Sequence, residues 1–192
     1  MKAPARRQQL LDAAIELVAE QGFQGVSVLS VARRAGVSRP IVYEHFGDLR
    51  GLLKAAIARE MKRARAQIAA TELGDLSQGD PTELMLESLR TYLGAVASSP
   101  NTWKLVLMPP EGAPENLRKS IARGRAKVLG SLASAVGPGS MPGEQSPDPQ
   151  MTARILSVIA DEYARLLLTD ATRFPAERLL AHARWLLRHL SP

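Results

Sequence analysis

Apolar residues recur along this chain at the spacing of an α-helix. Near the start, positions 10, 11, 14, 15 and 18 are all aliphatic and fall on one helical face, which predicts a first helix over about 4–21. The same pattern predicts eight further helices, over about 28–35, 39–45, 49–70, 82–98, 101–108, 115–136, 151–169 and 175–190. No segment alternates strictly between apolar and polar residues, as a half-buried strand does. The pattern therefore predicts an all-α chain of about nine helices.

Residues 25–48 carry the local signals that end one helix and begin the next. Ser27, Ser38 and Asp48 each stand where a side chain can accept a backbone N–H at the start of a helix. Gly36 can supply the positive φ of a tight turn, and Pro40 stands in a first turn, where its missing N–H costs little. Two short helices joined by a tight turn, after a longer helix, predict a helix-turn-helix.

The third helix of this motif is predicted to be the one that reads DNA. Ala32 is small where the second and third helices cross, and three valines are expected to pack inward: Val31, Val37 and Val42. The third helix would then present four side chains outward: Arg39, Ile41, Tyr43 and Glu44. A helix exposed in this way fits the major groove, where base edges show distinct patterns of donors and acceptors.

The composition of the chain indicates two loops and two domains. Segments 71–81 and 137–150 are rich in Gly, Pro, Asp and Ser, and both are predicted loops. We expect residues 1–54 to form the helix-turn-helix domain and residues 55–192 to form a second helical domain.

Positive charge is concentrated in the first third of the chain. Residues 1–66 contain 12 Lys and Arg against 6 Asp and Glu, whereas residues 67–192 contain 13 of each, so the whole net charge of +6 lies in the first segment. A local basic excess is typical of a polyanion partner, because each neutralised phosphate releases counterions. A solvated basic face without a partner is the alternative. DNA packaging is a further alternative, although it predicts a broader excess of Lys and Arg.

Several classes of protein are not expected. The chain has no cysteine and three scattered histidines, so we expect no metal site and no cofactor. It has no nucleophile–base constellation and no Gly-rich phosphate loop, so we expect no enzyme. No stretch reaches the roughly 18 apolar residues that span a bilayer, and acidic residues interrupt the amphipathic start, unlike a signal peptide. The sequence predicts a soluble, cytoplasmic protein with no membrane partner.

The stretch GVSVLSVARRAGVSRPIVYEHFGDLRGLL, from Gly25 to Leu53, resembles the TetR family of transcription regulators. The resemblance lies in the AGVS turn at residues 35–38, in the Y-x-H-F run at residues 43–46 and in the leucines that open the next helix. It implies a DNA-binding head and a C-terminal domain that binds a small-molecule inducer and forms a homodimer. A repressor is the expected function. An activator and a DNA-binding adaptor without a ligand are alternatives.

The resemblance also implies roles for individual residues of the head. Ser27, Tyr43 and His45 match backbone-contacting positions, whereas Arg39 and Ile41 match positions that read bases. Arg39 suits guanine and Ile41 suits a thymine methyl. Pro40 lies on the same side. Where the family usually has a lysine, this chain has Leu49, and Arg50 or Lys54 is expected to take that phosphate contact. For Tyr43 the alternative is a core position, and for His45 an ordinary surface histidine.

The second domain is expected to contain an apolar ligand pocket with few polar groups. The candidate lining residues are Met85, Leu89, Tyr92, Trp103, Leu107, Leu129 and Tyr163. Ordinary core packing is the alternative for each of them. The acidic residues Glu87, Asp161 and Glu162 are expected to be solvated rather than to meet a cationic ligand.

The last two helices are the expected dimer surface, because the family pairs them across a two-fold axis. The candidate interface residues are Ile155, Ile159, Leu179, Ala183, Leu186 and Leu187. A stripe that covers only its own domain is the alternative. A two-fold dimer predicts a palindromic operator in double-stranded DNA with half-sites about one helical turn apart, roughly 34 Å, or a multiple of it.

Overall fold

A computed structural model describes residues 3–73, 76, 79–137 and 146–190 of the chain. These residues form nine α-helices and no strand, which confirms the all-α prediction. The helices are α1 Ala3–Gln21, α2 Val28–Arg34, α3 Arg39–Phe46, α4 Leu49–Ala69, α5 Pro81–Ser98, α6 Pro100–Leu107, α7 Glu115–Ala135, α8 Pro149–Thr169 and α9 Ala176–Leu190. Each predicted boundary lies within two residues of the observed one. Most of the predicted loop at 137–150 falls outside the described residues.

The helices form two compact units, and one of them is discontinuous in sequence. The first unit contains the chain up to Ala64 together with Asn101–Ile121, and the second contains Arg65–Pro100 together with the chain from Ala122 onward. The packing therefore joins α6 and the beginning of α7 to the N-terminal helices. The functional division at residue 54 stays a prediction.

The first unit is built on the aliphatic face of α1 that the sequence pattern indicates. Five of its residues are buried at 4% exposure or less: Leu10, Leu11, Ala14, Ile15 and Val18. Val31 and Val42 pack into the same core with no exposed surface, and Val37 lies partly buried against it. Leu105 and Leu117 complete the core from the later segment. This shared core explains why Asn101–Ile121 belongs to the unit.

A buried carboxylate also connects three helices of the first unit. Glu60 of α4 is 1% exposed, and it accepts hydrogen bonds from Arg59 Nε at 2.7 Å, from Arg63 Nη1 at 3.3 Å and from the Thr102 hydroxyl of α6. Arg59 also pairs with Asp12 of α1 at 2.8 Å. Because a buried charge is costly without partners, this network favours one arrangement of α1, α4 and α6.

In the second unit, α5 packs against both α8 and α9. Its core comes from Leu86, Leu93 and Val96 on α5, and small residues on α8 allow a close approach. Asp80 caps α5 by accepting the Thr82 N–H at 2.8 Å, and Asp148 caps α8 by accepting the Met151 N–H at 3.0 Å. The cap at Asp148 starts α8 at Pro149, two residues before the predicted start.

Candidate functional site

The turn between α2 and α3 adopts the conformation that the sequence predicts. Gly36 has φ +62°, in the left-handed region that glycine enters without steric cost. The Val37 N–H donates to the Ala32 carbonyl at 2.9 Å, and this bond closes the turn. Gln9 of α1 donates from Nε2 to the Ala35 carbonyl at 2.9 Å. The turn is therefore fixed both by its own backbone and by α1.

Ser27 caps α2, as expected. Its hydroxyl oxygen accepts the Ser30 N–H at 3.0 Å, and Ser30 Oγ accepts the Ser27 N–H at 2.9 Å, so the two serines form a capping box. Ser27 is exposed at the start of the helix. Its hydroxyl is thus held at the N-terminus of α2, where the helix dipole favours an anion.

The expected cap at Ser38 is wrong in its chemistry, although Ser38 does occupy the N-cap position of α3. Its side chain makes no capping hydrogen bond. The Ile41 N–H instead donates to the Ser38 carbonyl at 3.2 Å, and Pro40 removes one of the N–H groups that a cap would satisfy. Ser38 is exposed, so its hydroxyl stays on the outer side of the motif.

The outer face of α3 carries most of the predicted base-reading and phosphate-contacting residues. Arg39, Pro40 and Glu44 are exposed, and Tyr43 is 50% exposed, which rules out a core position for its side chain. His45 is half-buried. Ile41 is the exception, because it lies partly buried against the core and presents only part of its side chain.

The beginning of α4 separates core from surface positions clearly. Phe46 and Leu49 pack against the core of the first unit, whereas Arg50 and Lys54 are exposed. Asp48 caps α4 as predicted, since its carboxylate accepts the Gly51 N–H at 2.6 Å. Arg50 and Lys54 therefore place positive charge on the exposed side of α4, whereas Leu49 has no charge and packs inward.

Internal ion pairs distinguish the cations of the first unit. Arg34 binds Glu20 at 2.6 Å and Glu16 at 3.3 Å on the outside of α1. The hydrogen bond from Arg34 lowers the pKa of Glu20 below its usual range. Arg39, by contrast, has no carboxylate within ion-pair distance in the described part of the chain. The charge of Arg39 is available to a partner.

The seven predicted ligand-lining residues fall in both units. Met85 and Leu89 on α5 and Leu129 on α7 are half-buried in the second unit, where Tyr92 and Tyr163 are buried. Trp103 and Leu107 are also buried, at 2% and 7% exposure, but they belong to the first unit.

The expectation that Asp161 is solvated is wrong. Asp161 is 9% exposed; its Oδ1 accepts the Tyr92 hydroxyl at 3.2 Å, and its Oδ2 lies 2.7 Å from Arg125 Nη2 in an ion pair. Burial, and then the charge of Asp161, raise the pKa of Tyr92. Glu87 and Glu162 are exposed, as expected, and pair with arginines on their own helices. The sequence held one signal for Asp161, since it falls on the stripe of small residues formed by Ala153, Ser157 and Ala164.

The second tyrosine of the expected pocket is also paired within the protein. The Tyr163 hydroxyl and His182 Nδ1 lie 2.7 Å apart, which links α8 to α9. Burial raises the pKa of Tyr163. Trp185 is 54% exposed and stacks between His182 and His189 on the surface of α9.

The predicted dimer residues divide into core and surface groups. Leu179 and Ala183 are 3% and 4% exposed within a single chain, so their prediction as interface residues does not fit the structure. Both lie on the side of α9 that faces its own unit. Ile155 is 54% exposed, and Ile159, Leu186 and Leu187 are half-buried. Met151 and Val158, which the sequence reasoning missed, are 56% and 57% exposed, and with Ile155 they form an apolar surface at i, i+4 and i+7 on α8.

The described residues also bear on metal binding and on membrane insertion. They contain no group of three His, Cys, Asp or Glu side chains arranged to hold a metal ion. None of the described helices is both long enough and apolar enough to cross a membrane.

Comparison with known proteins shows which family the helix-turn-helix resembles. The sequence model of the bacterial regulatory proteins, tetR family, matches residues 10–56. The HTH-type transcriptional regulator BetI of Yersinia pestis (strain Pestoides F) is 40% identical over 78 residues, which are 41% of this chain and 39% of the relative. The similarity thus spans about two fifths of that relative's length.

Solved structures extend the likeness to the fold of the whole chain. A TetR-like transcriptional regulator from Rhodococcus sp. RHA1 is similar with a TM-score of 0.76 and 22% identity, and the match covers 100% of both chains. A transcriptional regulator of the TetR/AcrR family from Thermobifida fusca YX-ER1 has a TM-score of 0.61 and 21% identity, with 98% of this chain and 99% of that chain covered. These relatives are regulators and not enzymes. Residues 10–56 are therefore similar to the tetR family of bacterial regulatory proteins, and the fold of the chain is similar to that of TetR-like regulators.

Proposed function

We propose that this protein is a sequence-specific transcriptional repressor that binds operator DNA in the cytoplasm and is released by a small-molecule ligand. The exposed face of α3 carries the proposal. Arg39, Pro40 and Tyr43 project from a helix whose inner residue, Val42, has no exposed surface. A rigid helix with a basic and aromatic outer face suits the major groove.

Each exposed residue of the head has a proposed partner on the duplex. Arg39 reads guanine through O6 and N7, and the exposed part of Ile41 contacts a thymine methyl beside Pro40. Tyr43 and His45 contact phosphates.

Three further phosphate contacts are proposed outside α3. Ser27 makes one from the N-terminus of α2, while Arg50 and Lys54 supply the others from α4. These contacts position α3 and carry no sequence information.

The operator is proposed to be palindromic because the protein is proposed to be a homodimer. Met151, Ile155 and Val158 support this, since together they expose an apolar surface that a lone chain leaves in water. The half-buried Ile159, Leu186 and Leu187 extend the candidate interface. A two-fold axis through this surface relates the two heads, so each reads one half-site.

The ligand site is proposed to lie in the second unit, among Met85, Leu89, Tyr92, Leu129 and Tyr163. These residues combine apolar area with two tyrosine hydroxyls. Both hydroxyls have protein partners, so a polar ligand would need to exchange bonds with Asp161 or His182. Such an exchange is one route to differential binding, because the ligand would stabilise one arrangement of α5, α8 and α9 over another.

Release is proposed to pass through residues 101–121. This segment packs with the head helices, and the chain on both sides of it belongs to the second unit. The bond from Thr102 to buried Glu60 ties the segment to α4. A ligand that favours a different position of the segment would shift the population toward heads that no longer match the operator.

Selection from a pool of random duplex DNA with the purified full chain tests this function. A palindromic consensus is expected, and binding to it should exceed binding to random DNA by about a thousandfold or more. Equal binding to all duplexes would instead indicate a packaging protein, and absence of any enrichment would contradict the proposal. The selected duplex then serves as the probe for compounds that release the protein.

A further inference from the structure

A second arginine is held beside the recognition helix by an aromatic ring. The guanidinium carbon of Arg7 lies 4.7 Å from the centroid of the Phe46 ring, within the distance of a cation–π contact. Phe46 is the last residue of α3 and packs against the core, which fixes the position of its ring. Arg7 is exposed on α1. The contact therefore holds an exposed cation at the C-terminal end of α3.

This cation lies close to the proposed phosphate contacts. The rings of His45 and Phe46 have their centroids 6.2 Å apart, so Arg7 and His45 neighbour the same phenylalanine. The next candidate position along the chain, Leu49, packs against the core and has no charge. Arg7 of α1 thus supplies a positive charge beside Phe46, next to the position where Leu49 supplies none.

Arg7 also differs from other arginines of the first unit. Arg34, Arg59 and Arg63 each lie within 3.3 Å of a carboxylate. Arg6 donates to the Gln9 side chain at 2.8 Å. No carboxylate of the described residues lies within ion-pair distance of Arg7, and an aromatic ring does not neutralise its charge. Arg7 is exposed, so its charge is accessible to solvent.

We infer that Arg7 contacts a backbone phosphate of the bound DNA, with Phe46 as the platform that positions the guanidinium. The inference rests on the proposed function, and it adds a contact from α1 to the face formed by α2, α3 and α4. A guanidinium matches the geometry of a phosphate and bonds it through two N–H groups. Because the ring restricts the side chain before DNA arrives, less rotamer freedom is lost on binding.

Salt dependence of binding to the selected duplex tests this contact. Each phosphate contact contributes about 0.9 to the slope of log affinity against log salt, so Arg7→Gln should make the slope shallower by about 1.8 for two protomers. It should weaken binding to the selected and to random duplexes by the same factor, because a phosphate contact carries no sequence information. Arg7→Lys should restore part of the slope.

Arg6→Gln is the matched control, because it removes the same charge at the neighbouring position. The Arg6 side chain already donates a hydrogen bond to the Gln9 side chain. Arg6→Gln should leave the slope near that of the wild type. A slope unchanged by Arg7→Gln, or an equal change in both variants, would overturn the inference while wild-type binding still supports the proposed function. A wild-type chain that binds no DNA would overturn both. Circular dichroism melting of each variant checks that the fold is retained.

The role of the ring is tested separately by Phe46→Leu, which keeps an apolar side chain at the core position. In that background Arg7→Gln should change the slope less than it does in the wild type. An equal effect with and without the ring would overturn the role of Phe46 as the platform.

Discussion

At the scale of single residues, buried polar groups determine more of this structure than their number suggests. Glu60 and Asp161 are the two buried carboxylates of the described chain, and each connects helices that are distant in sequence. The sequence pattern predicts the burial of neither residue, because whether a carboxylate on a helix is buried depends on which helix covers it. Thr102 lies 42 residues from Glu60, and Tyr92 lies 69 residues from Asp161. No local pattern reports such pairs.

Glu60→Ala should destabilise the protein by about 2–3 kcal/mol, because it leaves Arg59 and the Thr102 hydroxyl without their buried acceptor. Glu16→Ala is the control, since Glu16 belongs to an exposed pair with Arg34 and should cost at most about 0.5 kcal/mol. Urea denaturation of both variants measures the difference in the free energy of unfolding. Equal losses in the two variants would contradict the role given to Glu60.

Tyr92→Phe should cost about 1 kcal/mol at neutral pH, since Asp161 loses a hydrogen-bond donor. The pH dependence should change as well. Burial raises the pKa of Tyr92 in the folded chain, so the unfolded chain loses this proton first as pH rises past its ordinary value near 10. Stability from this group is present below that pH and is lost above it.

Urea denaturation at pH 7.5 and pH 10.5 separates the two effects. The loss of stability between these pH values should be smaller for Tyr92→Phe than for the wild type. Tyr43→Phe, which removes an exposed hydroxyl, is the control and should follow the wild type. A Tyr92→Phe variant with the full alkaline loss would refute the assignment.

At the scale of elements, the sequence predicted the helices well because their ends are set locally. The hydrogen bonds that Ser27, Asp48 and Gly36 determine join residues no more than five apart in sequence, so the local sequence contains both partners of each bond. The cap at Ser38 failed because Pro40 and the backbone satisfy that helix start without the hydroxyl. The sequence predicts that residues 101–121 belong to the later helical domain, but Leu105, Ala113 and Leu117 lie in the core of the first unit. That pairing depends on tertiary packing.

Gly36→Ala should destabilise the protein by about 1–2 kcal/mol, because an L side chain at φ +62° meets the following carbonyl. No atom beyond the two neighbouring residues lies within 4 Å of the added methyl, so the cost comes from the local backbone conformation. Gly94→Ala is the matched control: this glycine is exposed within α5 and also has open space, and alanine there should stabilise by about 0.5–1 kcal/mol. Thermal denaturation measures both variants, and a shift of the two melting temperatures in the same direction would contradict the role given to Gly36.

At the scale of the whole molecule, the apolar surface of α8 sets the expected state of assembly. The wild-type chain is expected to be a dimer at micromolar concentration. Ile155→Glu should shift it toward the monomer, because dimerisation would bring two carboxylates together near the two-fold axis. The two carboxylates would be desolvated and would repel each other. Size-exclusion chromatography with light scattering measures the mass. Ala126→Glu, at an exposed position on α7, is the control and should leave the mass unchanged. A wild-type monomer would refute the proposed interface.

The first unit is built from two separate segments of the chain, and this limits how the N-terminal helices can be exchanged between proteins. A hybrid protein that joins residues 1–64 to a foreign C-terminal domain would carry α1, α2, α3 and most of α4. It would lack Leu105 and Leu117, which complete the core of these helices. Unless the foreign domain supplies side chains of matching shape at the positions of Leu105 and Leu117, the core of the hybrid would contain a cavity. Substitutions on the exposed face of α3, which leave this core intact, are therefore expected to disturb the fold less than exchange of the N-terminal segment.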